Sequence, residues 1–149
     1  VRVIHTPGHT PACSCYLVEE KHVFVGDTIF APELGTARTA FPGGSAETMY
    51  DSIQKLFALG DDVKIYICHD YPEVGQEPRP VSTVGEQKMR NILINSSISK
   101  AQYVETRNKR DEGKAVPRLL YPSIQFNMRA GAMPDLESNG KSYMKIPLS

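Results

Sequence analysis

Apolar and polar positions alternate along the first quarter of the chain and then change period. Val1 to Ile4 sets a polar Arg2 between apolar neighbours and stops at Thr6-Pro7-Gly8, a turn signal. Ser14 to Val18 and His22 to Val25 are β-rich runs joined by the charged Glu19-Glu20-Lys21, a hairpin pattern closed by Gly26-Asp27. A Pro/Gly-rich loop follows from Ala31 to Gly44. Beyond it Met49, Ile53, Leu56 and Phe57 fall at helical spacing, which predicts an amphipathic helix over Ala46 to Leu59, with Ser45 as N-cap and Gly60 as its end. Val63 to Cys68 reads as a strongly apolar strand running into His69-Asp70-Tyr71-Pro72. Thr83 with Glu86 forms a capping box ahead of a helix reaching about Ile94, and Ser99 with Gln102 opens another to about Glu112. After Pro117 the pattern is irregular, apart from a short strand expected at Tyr143 to Ile146. The order β, β, β, α, β, α, α predicts a mixed α/β domain.

Charge narrows the partners. Lys and Arg total 17 and Asp and Glu total 17, so no excess positive charge exists to serve a nucleic acid or a polybasic membrane surface. No apolar run approaches the roughly 18 residues of a membrane helix. The three cysteines, Cys13, Cys15 and Cys68, make no disulfide framework and read as buried, reduced thiols, which favours a cytoplasmic setting. The chain opens Val1-Arg2-Val3-Ile4, with no initiator Met and no signal architecture, and reads as starting in the middle of something. Arg107, Lys109 and Arg110 with Asp111 and Glu112 are expected to be a solvated helix face.

Candidate chemistry gathers at strand ends. His9 lies in the turn His5-Thr6-Pro7-Gly8-His9-Thr10, Asp27 in Gly26-Asp27-Thr28, and His69 in Cys68-His69-Asp70. Loops at one edge of a sheet can bring such side chains together, and imidazoles with a carboxylate are ligands that borderline divalent metals take. A single histidine beside a strand is more often structural. From spacing alone, the metal-site and structural readings stand level.

Thr6-Pro7-Gly8-His9-Thr10, then Gly26-Asp27-Thr28, then the strand-ending His69 resemble the second half of the metallo-β-lactamase superfamily, over Val1 to about Gly131. The resemblance is nearest to its glyoxalase II and persulfide dioxygenase branch. It implies half of an αββα sandwich and makes His9, Asp27 and His69 the metal ligands, with His5 further back and His22 outside any motif. The superfamily's His-x-His-x-Asp-His signature lies upstream of the Pro-Gly-His-Thr turn, and nothing in this chain resembles it. A mononuclear site would draw His9 and Asp27 from here and lack its other histidine; a two-metal site would keep three ligands and lack four. This chain is therefore expected to be the second portion of one domain, inactive without an N-terminal half or a companion chain.

Within that branch, His69-Asp70-Tyr71 and the tail Asn127-Met128-Arg129-Ala130-Gly131 are similar to persulfide dioxygenases, while Gly26-Asp27-Thr28-Ile29-Phe30 also resembles glyoxalase II. The resemblance implies Fe(II) and oxidation of glutathione persulfide by O₂; the alternatives are Zn(II) with hydrolysis of glutathione thioesters, another hydrolase of this fold, or a non-enzymatic half-sandwich. Arg38 matches a basic residue that holds a glutathione carboxylate, where a guanidinium fork makes two parallel hydrogen bonds. Tyr71 resembles the tyrosine beside the iron. A surface arginine and a packing aromatic are the plainer accounts of these two residues.

Overall fold

The computed structural model describes residues 1–145 apart from 73 and 116. They form two compact units, Val1–Lys114 and Ala115–Ser149.

The first unit is built on one mixed sheet. Its strands, β1 (Arg2–His5), β2 (Ser14–Val18), β3 (His22–Phe24), β4 (Lys64–Tyr66) and β5 (Val81–Thr83), lie in sequence order. All neighbours are antiparallel except β3 and β4, which are parallel and joined through helix α1 (Ala46–Phe57). Parallel neighbours need such a crossover, because a tight turn can only reverse the chain. Ser45 caps α1 by accepting from the Thr48 N–H at 3.2 Å. Its apolar stripe of Met49, Ile53, Leu56 and Phe57 belongs to one core with Cys15, Leu17, Val23 and Ile65 from the sheet. Helix α3 (Lys100–Asp111) adds Tyr103 to that core, and its Ser99–Gln102 capping box is complete in both directions.

The opposite sheet face carries exposed apolar side chains at its β1–β3 end. The strand register aligns Val3, Tyr16, Phe24, Tyr66 and Val81 in one row across all five strands. Val3, Tyr16 and Phe24 are 61%, 50% and 47% exposed. Phe24 and Tyr66 stack with ring centres 4.8 Å apart.

Several boundaries differ from the sequence expectation. Helix α2 (Val84–Arg90) stops well before Ile94. Asn91 stops it: its buried side-chain oxygen accepts from the N–H groups of Leu93 and Ile94, while its amide donates to the Gly35 carbonyl and Gln87. Such local side-chain bonds compete with the helix ladder. Thr83 does cap α2, but Glu86 reaches to Arg79 and Arg90 instead of completing the box. Cys68 is exposed and Cys13 half-buried; only Cys15 is the expected buried thiol. The expected solvated face of α3 is also corrected. Arg107 and Asp111 are 3% and 8% exposed, and pair at 2.6 Å.

In the second unit, helix α4 (Leu120–Met128) is an element the sequence pattern did not predict. It has no side-chain cap, buries no residue, and carries Pro122 in its first turn, where the missing N–H costs nothing. Tyr143 to Lys145 form no strand beyond an isolated bridge between Leu136 and Ser142; Ile146 lies outside the described residues. Among the described residues, no helix is long and apolar enough to cross a membrane.

Candidate metal centre

The turn carrying His9 is laid across the start of α1. The Gly8 carbonyl accepts from the Ser45 N–H at 2.9 Å, and the Pro7 carbonyl from the Ser52 hydroxyl at 2.7 Å. Glycine is required at position 8 for two reasons. Its φ is +149°, and a Cβ there would lie 2.5 Å from the Cα of Met49. Backbone thus meets backbone, and His9 leaves the contact in a fixed direction.

The His9 ring is oriented by one further bond. Its Nδ1 lies 2.7 Å from the Arg38 carbonyl oxygen. A carbonyl can only accept, so Nδ1 carries the proton and a neutral ring presents the lone pair of Nε2. That Nε2 is 3.7 Å from Oδ2 of Asp27. Asp27 follows β3 through Gly26, whose φ is +50°. On the other side, Oδ1 of Asp27 is 3.2 Å from Nε2 of His69, which follows β4. The three expected ligands therefore converge, with the Asp27 carboxylate between two imidazoles.

The structure adds a donor that the sequence reading left out. Cys68 donates to Oδ1 of Asp27 at 3.4 Å, and Asp27, Cys68 and His69 place ligand atoms within 4.8 Å of one another. Loss of solvent around the sulfur pushes the Cys68 thiol up to about 12, and the charge of Asp27 and the hydrogen bond to it add to that shift. Adjacent sequence to His69 was the available signal, but a lone thiol beside a strand-ending histidine has no spacing motif.

The separations among Asp27, Cys68 and His69 suit one metal ion, while His9 approaches Asp27 from outside that group. Bonds of about 2.0–2.3 Å in tetrahedral geometry put neighbouring donor atoms about 3.3–3.8 Å apart. The distances around Asp27 are 3.2, 3.4 and 3.7 Å. Imidazole, carboxylate and thiol are donors for zinc or ferrous iron.

The other candidates lie around this cluster. Phe41 meets the His9 ring edge-on at 4.6 Å, and the Arg38 guanidinium lies over Phe41 at 4.5 Å. Tyr71 is exposed and its ring stacks on that of His69 at 6.0 Å, while Phe30 meets the His69 ring edge-on at 5.9 Å. His5 bonds to the Pro11 carbonyl through Nε2 at 2.8 Å, and His22 to the Tyr66 hydroxyl on the sheet face that carries Phe24. Neither of these bonds involves Asp27.

A family model described as the metallo-beta-lactamase superfamily matches residues 1–69. Over that segment the chain is similar to metallo-β-lactamase proteins. His9, Asp27 and His69 all fall inside it. Across its whole length the chain is 50% identical to Glyoxylase B2 of Dictyostelium discoideum, covering 51% of that protein. It is 33% identical to the mitochondrial persulfide dioxygenase ETHE1 of Bos taurus, over 85% of this chain and 46% of that one. The crystal structure of ETHE1 from Myxococcus xanthus superposes with a TM-score of 0.76 at 29% identity, covering 88% of this chain and 54% of that one. The chain thus spans about half the length of these metallo-β-lactamase relatives.

Proposed function

We propose that this chain supplies the second half of a metallo-β-lactamase domain, and that the complete domain is a metal-dependent enzyme acting at the sulfur of a glutathione-based substrate. The observation that carries this reading is the Asp27 carboxylate held between His9 and His69. The apolar row Val3, Tyr16, Phe24 supports the first clause, since contiguous exposed apolar surface marks a packing face. Relatives about twice as long supply the material to cover it.

Oxidation of glutathione persulfide is the first reading of the chemistry. In balanced form the persulfide, O₂ and one water give glutathione and sulfurous acid, with the outer sulfur oxidised and O₂ reduced. Fe(II), when bound, supplies the electron transfer to oxygen; Zn(II) would instead lower the pKa of a bound water. The chain's own residues set the geometry. His9 offers Nε2 because Nδ1 is committed to the Arg38 carbonyl. Arg38, whose guanidinium lies over the Phe41 ring that meets His9, would hold a glutathione carboxylate. Tyr71, stacked on His69, brings a phenol that can donate to a sulfur or oxygen atom of the substrate.

One observation favours a second reading, hydrolysis of a glutathione thioester. The two oxygens of Asp27 face different imidazoles, Oδ2 toward His9 and Oδ1 toward His69, an arrangement in which one carboxylate can serve two metal ions. Oxygen uptake with glutathione persulfide, run beside thiol release from a glutathione thioester on the metal-loaded complete protein, separates the two. One O₂ consumed per sulfite formed is expected. Thioester turnover with no oxygen uptake, in protein shown to hold iron, overturns the dioxygenase reading.

A further inference from the structure

The buried ion pair of α3 lies directly behind the bond that orients His9. Arg107 donates to the Thr36 carbonyl at 3.0 Å and to Oδ1 of Asp111 at 2.6 Å. Oδ2 of Asp111 accepts from the Thr39 N–H at 2.7 Å and from the Thr39 hydroxyl at 3.2 Å. The Thr36 hydroxyl bonds to the Tyr103 phenol at 2.9 Å. The segment 36–39 is therefore gripped on both sides of residue 38, and it is the residue 38 carbonyl that accepts from His9 Nδ1.

We propose that Asp111 and Arg107 are positioning residues that fix the tautomer and direction of the His9 ring. An exposed loop carbonyl would wander among several orientations; here its flanking residues are tied to a helix by charge-assisted bonds, the stronger class. The partner on the far nitrogen of a ligating imidazole sets which nitrogen is free to bind, and altering such a partner typically weakens metal binding 10- to 100-fold. This assignment rests on the reading of His9 as a metal ligand, but its first consequence is visible without metal.

The experiment uses the purified protein in three variants beside wild type. Asp111→Asn keeps the shape but turns one oxygen into an NH₂ group, which must face either the Arg107 donor or the Thr39 donors. Arg107→Lys keeps the charge but cannot reach both Thr36 and Asp111, and serves if Asp111→Asn does not fold. Ile53→Val, in the core beneath α1, is the control for general loosening. Long-range ¹H–¹⁵N correlation spectra of the metal-free protein report the His9 tautomer, and chelator competition reports Zn(II) affinity. A single Nδ1–H form in wild type and Ile53→Val, a mixed form in the two α3 variants, and about 10-fold weaker Zn(II) binding are expected. An unchanged tautomer in both α3 variants overturns the proposal, as does an equal change in Ile53→Val. Tautomer mixing with Zn(II) affinity equal to that of wild type upholds the clamp and removes His9 from the ligands.

Discussion

Replacing Gly8 by alanine tests why the turn before His9 needs its glycine. The new Cβ would lie 2.5, 2.6 and 2.8 Å from the Cα, Cβ and N of Met49. Ordinary carbon contacts are about 3.5–4.0 Å, so the overlap is near 1 Å, against main-chain atoms that cannot rotate aside. Overpacking costs about 1–3 kcal/mol, and a side chain at a φ of +149° adds about 1–3 kcal/mol. Restricting the unfolded chain returns only about 0.4–1 kcal/mol. The net loss is about 1–6 kcal/mol, a large share of a domain's usual reserve of about 5–15 kcal/mol. Gly26→Ala is the matched control: its φ is +50° and its Cβ meets nothing within 4 Å, so it carries the left-handed penalty of about 1–2 kcal/mol alone. Urea unfolding followed by circular dichroism gives both values. Gly8→Ala should lower the midpoint further than Gly26→Ala at equal slope. A cost no greater than that of Gly26→Ala would refute the argument that close approach of the turn to α1 sets the position of His9.

Three further outcomes follow from the same geometry. Burial alone would raise the Asp111 carboxyl, but the Thr39 N–H and the Arg107 guanidinium outweigh it and hold it below the usual range. Its contribution is therefore complete above the unfolded value of about 3.9 and is lost as pH falls through the folded one; urea midpoints from pH 5 to 2.5 should fall more steeply in wild type than in Asp111→Asn, and parallel curves would contradict this. Alkylation of Cys68 should be slow for an exposed thiol and faster in Asp27→Asn, which removes the charge beside the sulfur, and equal rates would remove that charge as a cause. Arg38→Ala in the complete, metal-loaded protein should raise KM for a glutathione substrate with kcat largely kept, since a charge-assisted contact is worth about 1.5–3 kcal/mol and lies away from the reacting sulfur; stability should move by about 0.5–1 kcal/mol, the worth of its contact with Phe41.

Local pattern carried the parts of the fold that local physics decides. Strand β2 and the start of α1 fall where alternation and the Ser45 cap place them, because one face of each element is buried and the other is not. Strand β5 escaped notice since three residues with a buried Ser82 at the centre show no hydrophobic signal; its place comes from pairing with β4. Asn91 and α4 were missed for different reasons: Asn91 stops α2 through bonds to the Leu93 and Ile94 N–H groups that no spacing motif marks, and α4 has neither a side-chain cap nor a buried residue. His9, Asp27 and His69 stood out as candidates because each stands beside a turn or strand end, but spacing alone left the metal and structural readings level, and the resemblance supplied the ligand set. Cys68 and the Arg107–Asp111 pair were not. A charged residue's burial depends on what packs over it, and Thr36 and Thr39 lie about seventy residues upstream.

The central claim is that Asp27 joins His9 and His69 in one metal centre. Metal bound per chain, measured by elemental analysis on wild type, Asp27→Asn and His22→Gln, tests it most directly, with circular dichroism confirming that each variant is folded. Wild type and His22→Gln should hold equal metal, and Asp27→Asn should lose most of it, because the substitution removes the carboxylate that lies within 3.2 Å of His69 and 3.7 Å of His9. A folded Asp27→Asn protein that retains as much metal as wild type would contradict the account.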